Sequence, residues 1–395
     1  MPVSHAPVPS RVPDAAAGQE RAPGLLEALA QVADPRKRRG RRFALTFTLA
    51  VALVCVLAGA RSFREIGDQA ADLPQDMLAA LGGVPCPLRR KIAVPSEKRI
   101  RTLLQDLDGD ALDVIIGGWL RSIAAARNPA PPQDGPPEHV AIDGKWLRGA
   151  GAGPVKLFSA LQYGDGVIIA QTRIPDDTTE TTQVRALLDT VDLTGAVVTA
   201  DAAHASRETA AYIAGERGAD YLLTVKGNTP GLQRAIFDKI QAECDSAAPD
   251  HADTDRSHGR TVRRSLWAAA AGESTGFPHA AQVIRIRRDT LDIDGAMIAK
   301  EIIHAATSLD AKRATPQALA VLIRGQWAIE AVHWIRDTAY REDHSTGYAG
   351  DGPQVMATLR NTAISLLRIA GITQIARTLQ AFNRDRTRIL SVIPL

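Results

Sequence analysis

Between His139 and Val225 the chain alternates apolar runs with turn residues in an order that few folds accommodate. His139 to Asp143 is one short apolar run, and Val155 to Gln162 and Val167 to Arg173 are two more. Gly164-Asp165-Gly166 between the last two reads as a hairpin turn. Thr182 to Thr190 has helical spacing, Ala196 to Asp201 reads as a strand, Ser206 to Arg217 as a helix, and Asp220 to Val225 as a further strand. The succession is therefore three antiparallel strands, a helix, a strand, a helix and a strand.

That succession is the core order of an RNase H-like fold, and it gives two acids equivalent positions. Asp143 closes the first run and Asp201 closes the fourth strand, so the sheet is expected to set them side by side. A third acid, Glu330, follows Arg324-Gly325-Gln326-Trp327-Ala328-Ile329, which has helical spacing. Trp327, Glu330, Trp334 and Asp337 share one face of that helix. Two strand-end carboxylates and one helical carboxylate can converge on a pair of divalent cations, as two-metal phosphodiester chemistry requires. Each acid alone reads as a strand-end or surface residue. The three together, in these element types, read as a catalytic site for Mg²⁺ (or Mn²⁺) with Asp143, Asp201 and Glu330 as ligands. His204 and His333 lie three residues beyond an acid, so each can be read as a ligand, as a DNA contact or as packing. A hard cation prefers carboxylate oxygen to imidazole, so the three acids rather than the histidines are expected as ligands.

At 395 residues the chain is long enough for two or three domains. Residues 1–22 are Pro- and Ala-rich and read as a disordered tail. Residues 23–127 carry apolar positions at helical spacing (Leu25, Leu26, Leu29, Val32; Ile100, Leu103, Leu104, Leu107) and form an all-α N-terminal domain expected to bind DNA. Residues 128–138 are a Pro-rich linker, and 139–395 are the catalytic domain. A strand-rich insertion is expected at about 231–314. Its early part, Ala242 to Arg264, is rich in Asp, His and Arg, and the neighbourhood of Cys244 looks disordered; the segments Gln282 to Arg288 and Ala296 to Ala305 read as strands. The fold class is thus α/β, an RNase H-like core with a strand-rich insertion behind an all-α domain.

Phe43 to Ala60 has no charged residue and follows a basic run, which imitates a membrane anchor. Thr46, Thr48 and Gly59 dilute it and it runs straight into Arg61 and Arg64, so a buried helix is expected. Three scattered cysteines exclude a disulfide framework or a zinc site and fit a reducing cytoplasm. The net charge is only +3, but Arg36 to Arg42 and the group Arg260, Arg263 and Arg264 concentrate it, which points to phosphate contacts. Lys226 and Asn228 follow a strand, where Lys226 can hold a phosphate and Asn228 can shape the turn. Trp327 reads first as a core residue, with stacking on an unpaired base as the sharper alternative.

Several motifs together carry a family likeness. Leu25 to Gly40 with Asp34-Pro35-Arg36, and Leu57 to Phe63, belong to one associated segment. Ile142-Asp143-Gly144-Lys145 with Leu147-Arg148-Gly149, Val198 to His204, and Asp220-Tyr221 to Lys226-Gly227-Asn228 follow. The most specific runs from Arg324 to Asp337 and on to Glu342-Asp343. In these motifs the chain, from Leu25 to Arg388, resembles the DDE transposases of bacterial insertion sequences, the ISAs-type group of H-repeat-associated proteins. It departs from them at Thr179 (usually Asn), Ala205-Ser206 (commonly Thr-Gln), Val262 (an acid expected) and Gln326 (commonly His).

The resemblance implies a transposase that cuts insertion-sequence ends and transfers strands into target DNA. It implies double-stranded DNA as partner, a homodimer on that DNA, no membrane, and a cytoplasmic, nucleoid-associated location. Lys145, Arg148, His204, Lys226, Asn228, Arg260, Arg324, Trp327 and His333 are the residues expected to touch DNA. The alternatives are a metal-dependent nuclease without strand transfer, and a catalytically silent DNA-binding protein derived from a transposase.

Overall fold

The computed structural model describes residues 23–127, 137–149, 155–257, 259–345 and 349–395. The tail and nearly all of the linker expected from the sequence lie outside these residues. Six helices come first: α1 (Leu25–Leu29), α2 (Leu45–Leu57), α3 (Phe63–Ala71), α4 (Gln75–Ala80), α5 (Glu97–Asp106) and α6 (Gly109–Arg127). Next come β1 (His139–Leu147), β2 (Val155–Gln162), β3 (Val167–Ile174), α7 (Val184–Leu188), β4 (Val197–Ala200), α8 (Arg207–Ala211) and β5 (Asp220–Val225). Then follow α9 (Pro230–Ser246), β6 (His251–Ser257), β7 (Arg260–Ala270), β8 (Gln282–Leu291) and β9 (Met297–Thr307). The chain closes with α10 (Pro316–Ala339), α11 (Gly352–Ile369) and α12 (Ile375–Arg384).

Contacts gather the chain into two compact units that do not follow chain order. One comprises Met1–Pro132, Gly144–Thr178 and Glu330–Leu395; the other comprises Gln133–Asp143 and Thr179–Ile329.

In the first unit, the uncharged segment folds as α2, whose residues are all buried except Thr46. Thr48 satisfies its hydroxyl by donating to the Ala44 carbonyl at 3.0 Å, so it enters the core without an orphaned polar group. Gly59, at φ 88°, stops the helix, and Ala60 N–H reaches back to the Cys55 carbonyl at 2.9 Å. No helix among the described residues is long and apolar enough to cross a membrane. The strand order here is β3-β2-β1, with β2 and β3 joined as an antiparallel hairpin. Helices α6 and α11 pack on β3. Gly117 of α6 permits this, because a Cβ there would run into the carbonyl oxygen of Ile169.

The second unit holds strand order β1-β4-β5-β9-β8-β7-β6. β1, β4 and β5 are parallel, with Ile142 opposite Ala200 and Ala200 opposite Leu223. The remaining strands are antiparallel, and β9 joins β5 directly through Leu222 and Thr307. The strand-rich segment therefore extends the sheet rather than forming a body of its own. Val197, Leu222, Ile284, Ile303, Leu319 and Ile323 form its core against the start of α10. The neighbourhood of Cys244, read as disordered, is helical, since α9 runs to Ser246, and the Asp-, His- and Arg-rich stretch beyond it is β6 and β7, paired from His251–Leu266 to Ser257–Arg260. Its charges hid the strands, since Asp253 and Asp255, two apart and so on one strand face, both bind Arg264, at 2.8 and 2.6 Å.

Candidate active site

Parallel pairing of β1 with β4 fixes the first two acids. The last paired residues are Ile142 and Ala200, and Asp143 and Asp201 are the next residue on each strand. Asp143 is half-buried and Asp201 exposed. Asp201 also starts a short 3₁₀ turn, Ala202–His204, where its Oδ1 accepts from Ala203 N–H at 2.9 Å. Asn228 donates to the Ala202 carbonyl at 2.5 Å, so the turn after β5 braces the turn that follows Asp201.

Behind the acids runs a buried chain of hydrogen bonds. Gln326 of α10 donates through Nε2 to the Ile142 carbonyl at 2.9 Å and accepts the Thr199 hydroxyl at Oε1, 2.5 Å away. The Thr199 hydroxyl proton is thereby used, so His139 Nε2, 2.8 Å from the same oxygen, must be the donor to it. Burial pushes the His139 imidazole down to about 4, which keeps it neutral at pH 7 and fits that tautomer. Gln326 thus clasps the residue before Asp143 and the residue two before Asp201. Glu330 lies one turn further along the same helix, exposed.

The other expected site residues divide. Lys226, Arg148 and Arg260 are exposed. Lys145 is buried and its Nζ binds both carboxylate oxygens of Asp337, at 2.8 and 2.7 Å, which leaves its charge satisfied within the protein. His204 is wholly buried, with Nε2 3.7 Å from Glu180 Oε2 and 3.9 Å from Asp201 Oδ1, and so presents no surface to DNA. Arg324 faces Asp253 and Asp255 at 3.6 and 3.9 Å. Trp327 packs on the core and carries Arg288 over its ring at 5.5 Å, so the core reading describes it. His333 is half-buried, and Trp334, 66% exposed, is the open aromatic of this helix.

Sequence reading gave no bracing role to His139 or Thr199, noted Gln326 only as a departure from the family pattern, and noted Asp337 only by its helix face. It also missed Glu342, buried between Arg336 (2.7 Å) and Arg360 (2.7 Å). Its motif position was the one available signal. Among the described residues, no group of three or more His, Cys, Asp or Glu side chains is gathered so as to hold a metal ion.

Comparison with known proteins places the chain. Residues 134–366 match the family model described as "Transposase DDE domain", and residues 26–120 match "DDE_Tnp_1-associated". The chain is 26% identical to "Putative transposase YncI" of Escherichia coli O157:H7 over 87% of each chain. It is 22% identical to "H repeat-associated putative transposase YhhI" of Escherichia coli K12, over 93% of this chain and 97% of that one. Among solved structures, the piggyBac transposase synaptic complex with hairpin DNA aligns over 94% of this chain and 81% of that one, at 11% identity. Its TM-score of 0.40 is too low to carry an argument.

Proposed function

The chain belongs to the transposase DDE domain family, and from that premise we propose that it cleaves DNA at the ends of an insertion sequence and joins the freed 3′-hydroxyl to target DNA. Asp143, Asp201 and Glu330 are the residues assigned to chemistry. The observation that carries this reading is the β1–β4 register, in which Asp143 and Asp201 each directly follow the last paired residues, Ile142 and Ala200. The strand orders β3-β2-β1 and β1-β4-β5 support an RNase H-like core.

The donor set suits a hard divalent cation, because all three groups are carboxylates and Asp201 is exposed. Mg²⁺ or Mn²⁺, when bound, supplies charge stabilisation at the attacking and leaving oxygens. The Asp201 bond to Ala203 N–H engages one oxygen and leaves the other to face a ligand. Asp143 lies on β1 and Asp201 directly follows β4, and Gln326 bonds to both strands through Ile142 and Thr199. Lys226 and Arg148, both exposed, are assigned to the DNA backbone. The protein works as a homodimer on double-stranded DNA at the nucleoid in this reading.

The test is a cleavage assay on DNA bearing the element's flanking inverted repeats, in Mg²⁺ or Mn²⁺. Asp143→Asn, Asp201→Asn and Glu330→Gln each keep shape and remove charge, so each is expected to bind that DNA and not cut it. A wild-type rate for Glu330→Gln would remove Glu330 from the ligand set. Cleavage without joining would leave a nuclease, and a wild-type protein that binds but never cuts would be a silent relative.

A further inference from the structure

A second concentration of charge lies in the first unit, in a groove of about 440 Å³ between the Arg36–Phe43 loop and α5. Arg36, Arg39, Arg42, Lys98 and Arg99 line it, with Asp106 as its acid. Arg36 is committed to structure: it holds Asp34 through two bonds of 2.9 Å and donates to the Phe43 carbonyl at 2.9 Å. Arg41, outside the groove, is likewise used, donating to the carbonyls of Arg36 and Asp34. The basic run is thus not uniformly available, as its sequence suggested.

Arg39, Arg42, Lys98 and Arg99 differ. Among the described residues none of them stands in an ion pair, and all four are exposed. Of the acids on α5, Glu97 is taken by Arg101 at 3.1 Å, which leaves Asp106 as the one that lines the groove. The chain just before Pro95 is basic as well. Arg89, Arg90 and Lys91 are exposed on the turn closed by the Pro85–Ile92 bridge. Arg90 sits at φ 50°, held by its N–H to the Cys86 carbonyl at 2.8 Å. The Cys86 thiol is drawn down by the backbone of Arg89 and Leu88, with the charges of Arg89 and Arg42 adding. Like charges that line one groove repel, and an anion spanning them lowers that penalty.

We propose that this groove seats the phosphate backbone of duplex DNA, in addition to any contact at the candidate active site. The proposal rests on the DNA-acting reading of the family, which favours duplex DNA over other polyanions. Val84 and Leu88, exposed on the same turn, make an anionic lipid surface the competitor to be separated.

The experiment uses the full chain and a labelled duplex of arbitrary sequence, with affinity measured across a salt series. Lys98→Gln with Arg99→Gln is expected to lower the slope of log affinity against log salt by about 1.8, at roughly 0.9 per phosphate contact. Lys98→Arg with Arg99→Lys, which keeps both charges, is expected to restore the wild-type slope. Far-UV circular dichroism and thermal melting verify that both variants fold. An unchanged slope in the Gln variant overturns the proposal. So does displacement of the duplex by phosphatidylserine vesicles at equal phosphate, or tighter binding to single-stranded RNA. Cleavage is not read, so a protein that binds but never cuts would sink the catalytic reading and leave this one standing.

Discussion

Gln326 donates to the carbonyl of Ile142 across 184 positions of sequence, and that bond joins α10 to the strand that carries Asp143. The same side chain accepts from Thr199 on β4. Gln326→Leu keeps the volume and strips both bonds, leaving a buried carbonyl and a buried hydroxyl without their partner. The expected loss is about 1–3 kcal/mol per orphaned group, read as a lower urea midpoint. Gln326→His, which can replace one bond, should lose less. Equal stability of wild type and Gln326→Leu would show that the clasp contributes nothing.

His139 makes this clasp sensitive to acid. Burial depresses its folded-state pKa to about 4, from an ordinary 6.5. Its contribution is therefore complete above pH 6.5 and is lost as pH falls toward 4, because the unfolded chain takes up the proton first. The full span is about 3 kcal/mol. His139→Asn does not titrate, so the stability gap between it and the wild type should shrink on acidification through that window. A gap that stays constant from pH 7 to pH 4 would contradict the burial argument.

Asp113 works in the opposite direction. It is buried on α6 and accepts from Gln171 (3.0 Å), Gln354 (2.8 Å) and Thr358 (2.5 Å). Burial, only partly offset by these bonds, raises its carboxyl to about 7. When it is protonated an acceptor is already in place, since Thr358 can receive the proton while donating to the Gln354 carbonyl at 3.0 Å. The unfolded chain releases this proton near pH 3.8 and the folded one near 7, so stability falls as pH rises between them, by about 4 kcal/mol at most. Asp113→Asn should flatten that fall. Parallel curves for the two proteins from pH 4 to pH 8 would mean that Asp113 is ionised throughout.

How much of this was legible in sequence depended on whether the signal was local. The β1, β4 and β5 runs announce themselves by apolar residues bounded by turns, and Asp143 and Asp201 are marked by ending two of them. The clasp has no such mark. His139, Thr199 and Gln326 meet only because β1 and β4 pair and α10 crosses them, and a lone Gln in a helix carries no periodicity. Lys145 shows the reverse error. Beside Asp143-Gly144 it reads as a DNA contact, yet its partner Asp337 lies 192 residues away, beyond any local pattern. β6 and β7 were hidden because alternating charged residues on a solvated sheet resemble an irregular segment in composition, though not in period.

The buried triad around Glu342 gives the sharpest pH test. Burial, the largest single influence on this carboxyl, pushes it up. Arg336 and Arg360 outweigh burial, with Lys145 adding, and hold it at about 2. Its folded-state pKa lies below the ordinary 4.5, so the stabilisation is complete above pH 4.5 and drains away as pH falls toward 2. Glu342→Gln leaves two buried guanidiniums without their counter-charge, which costs about 3–5 kcal/mol at neutral pH. Arg360 also donates to the Arg61 carbonyl at 2.8 Å, so Arg360→Met should lose that bond in addition to the ion pair. Urea unfolding at pH 7 and again at pH 3 separates the charge effect from packing. The wild type should exceed Glu342→Gln by the larger margin at pH 7 and by a smaller one at pH 3, where the unfolded glutamate is already protonated. A margin that is the same at both pH values would assign the loss to packing and remove the ion pair from the account.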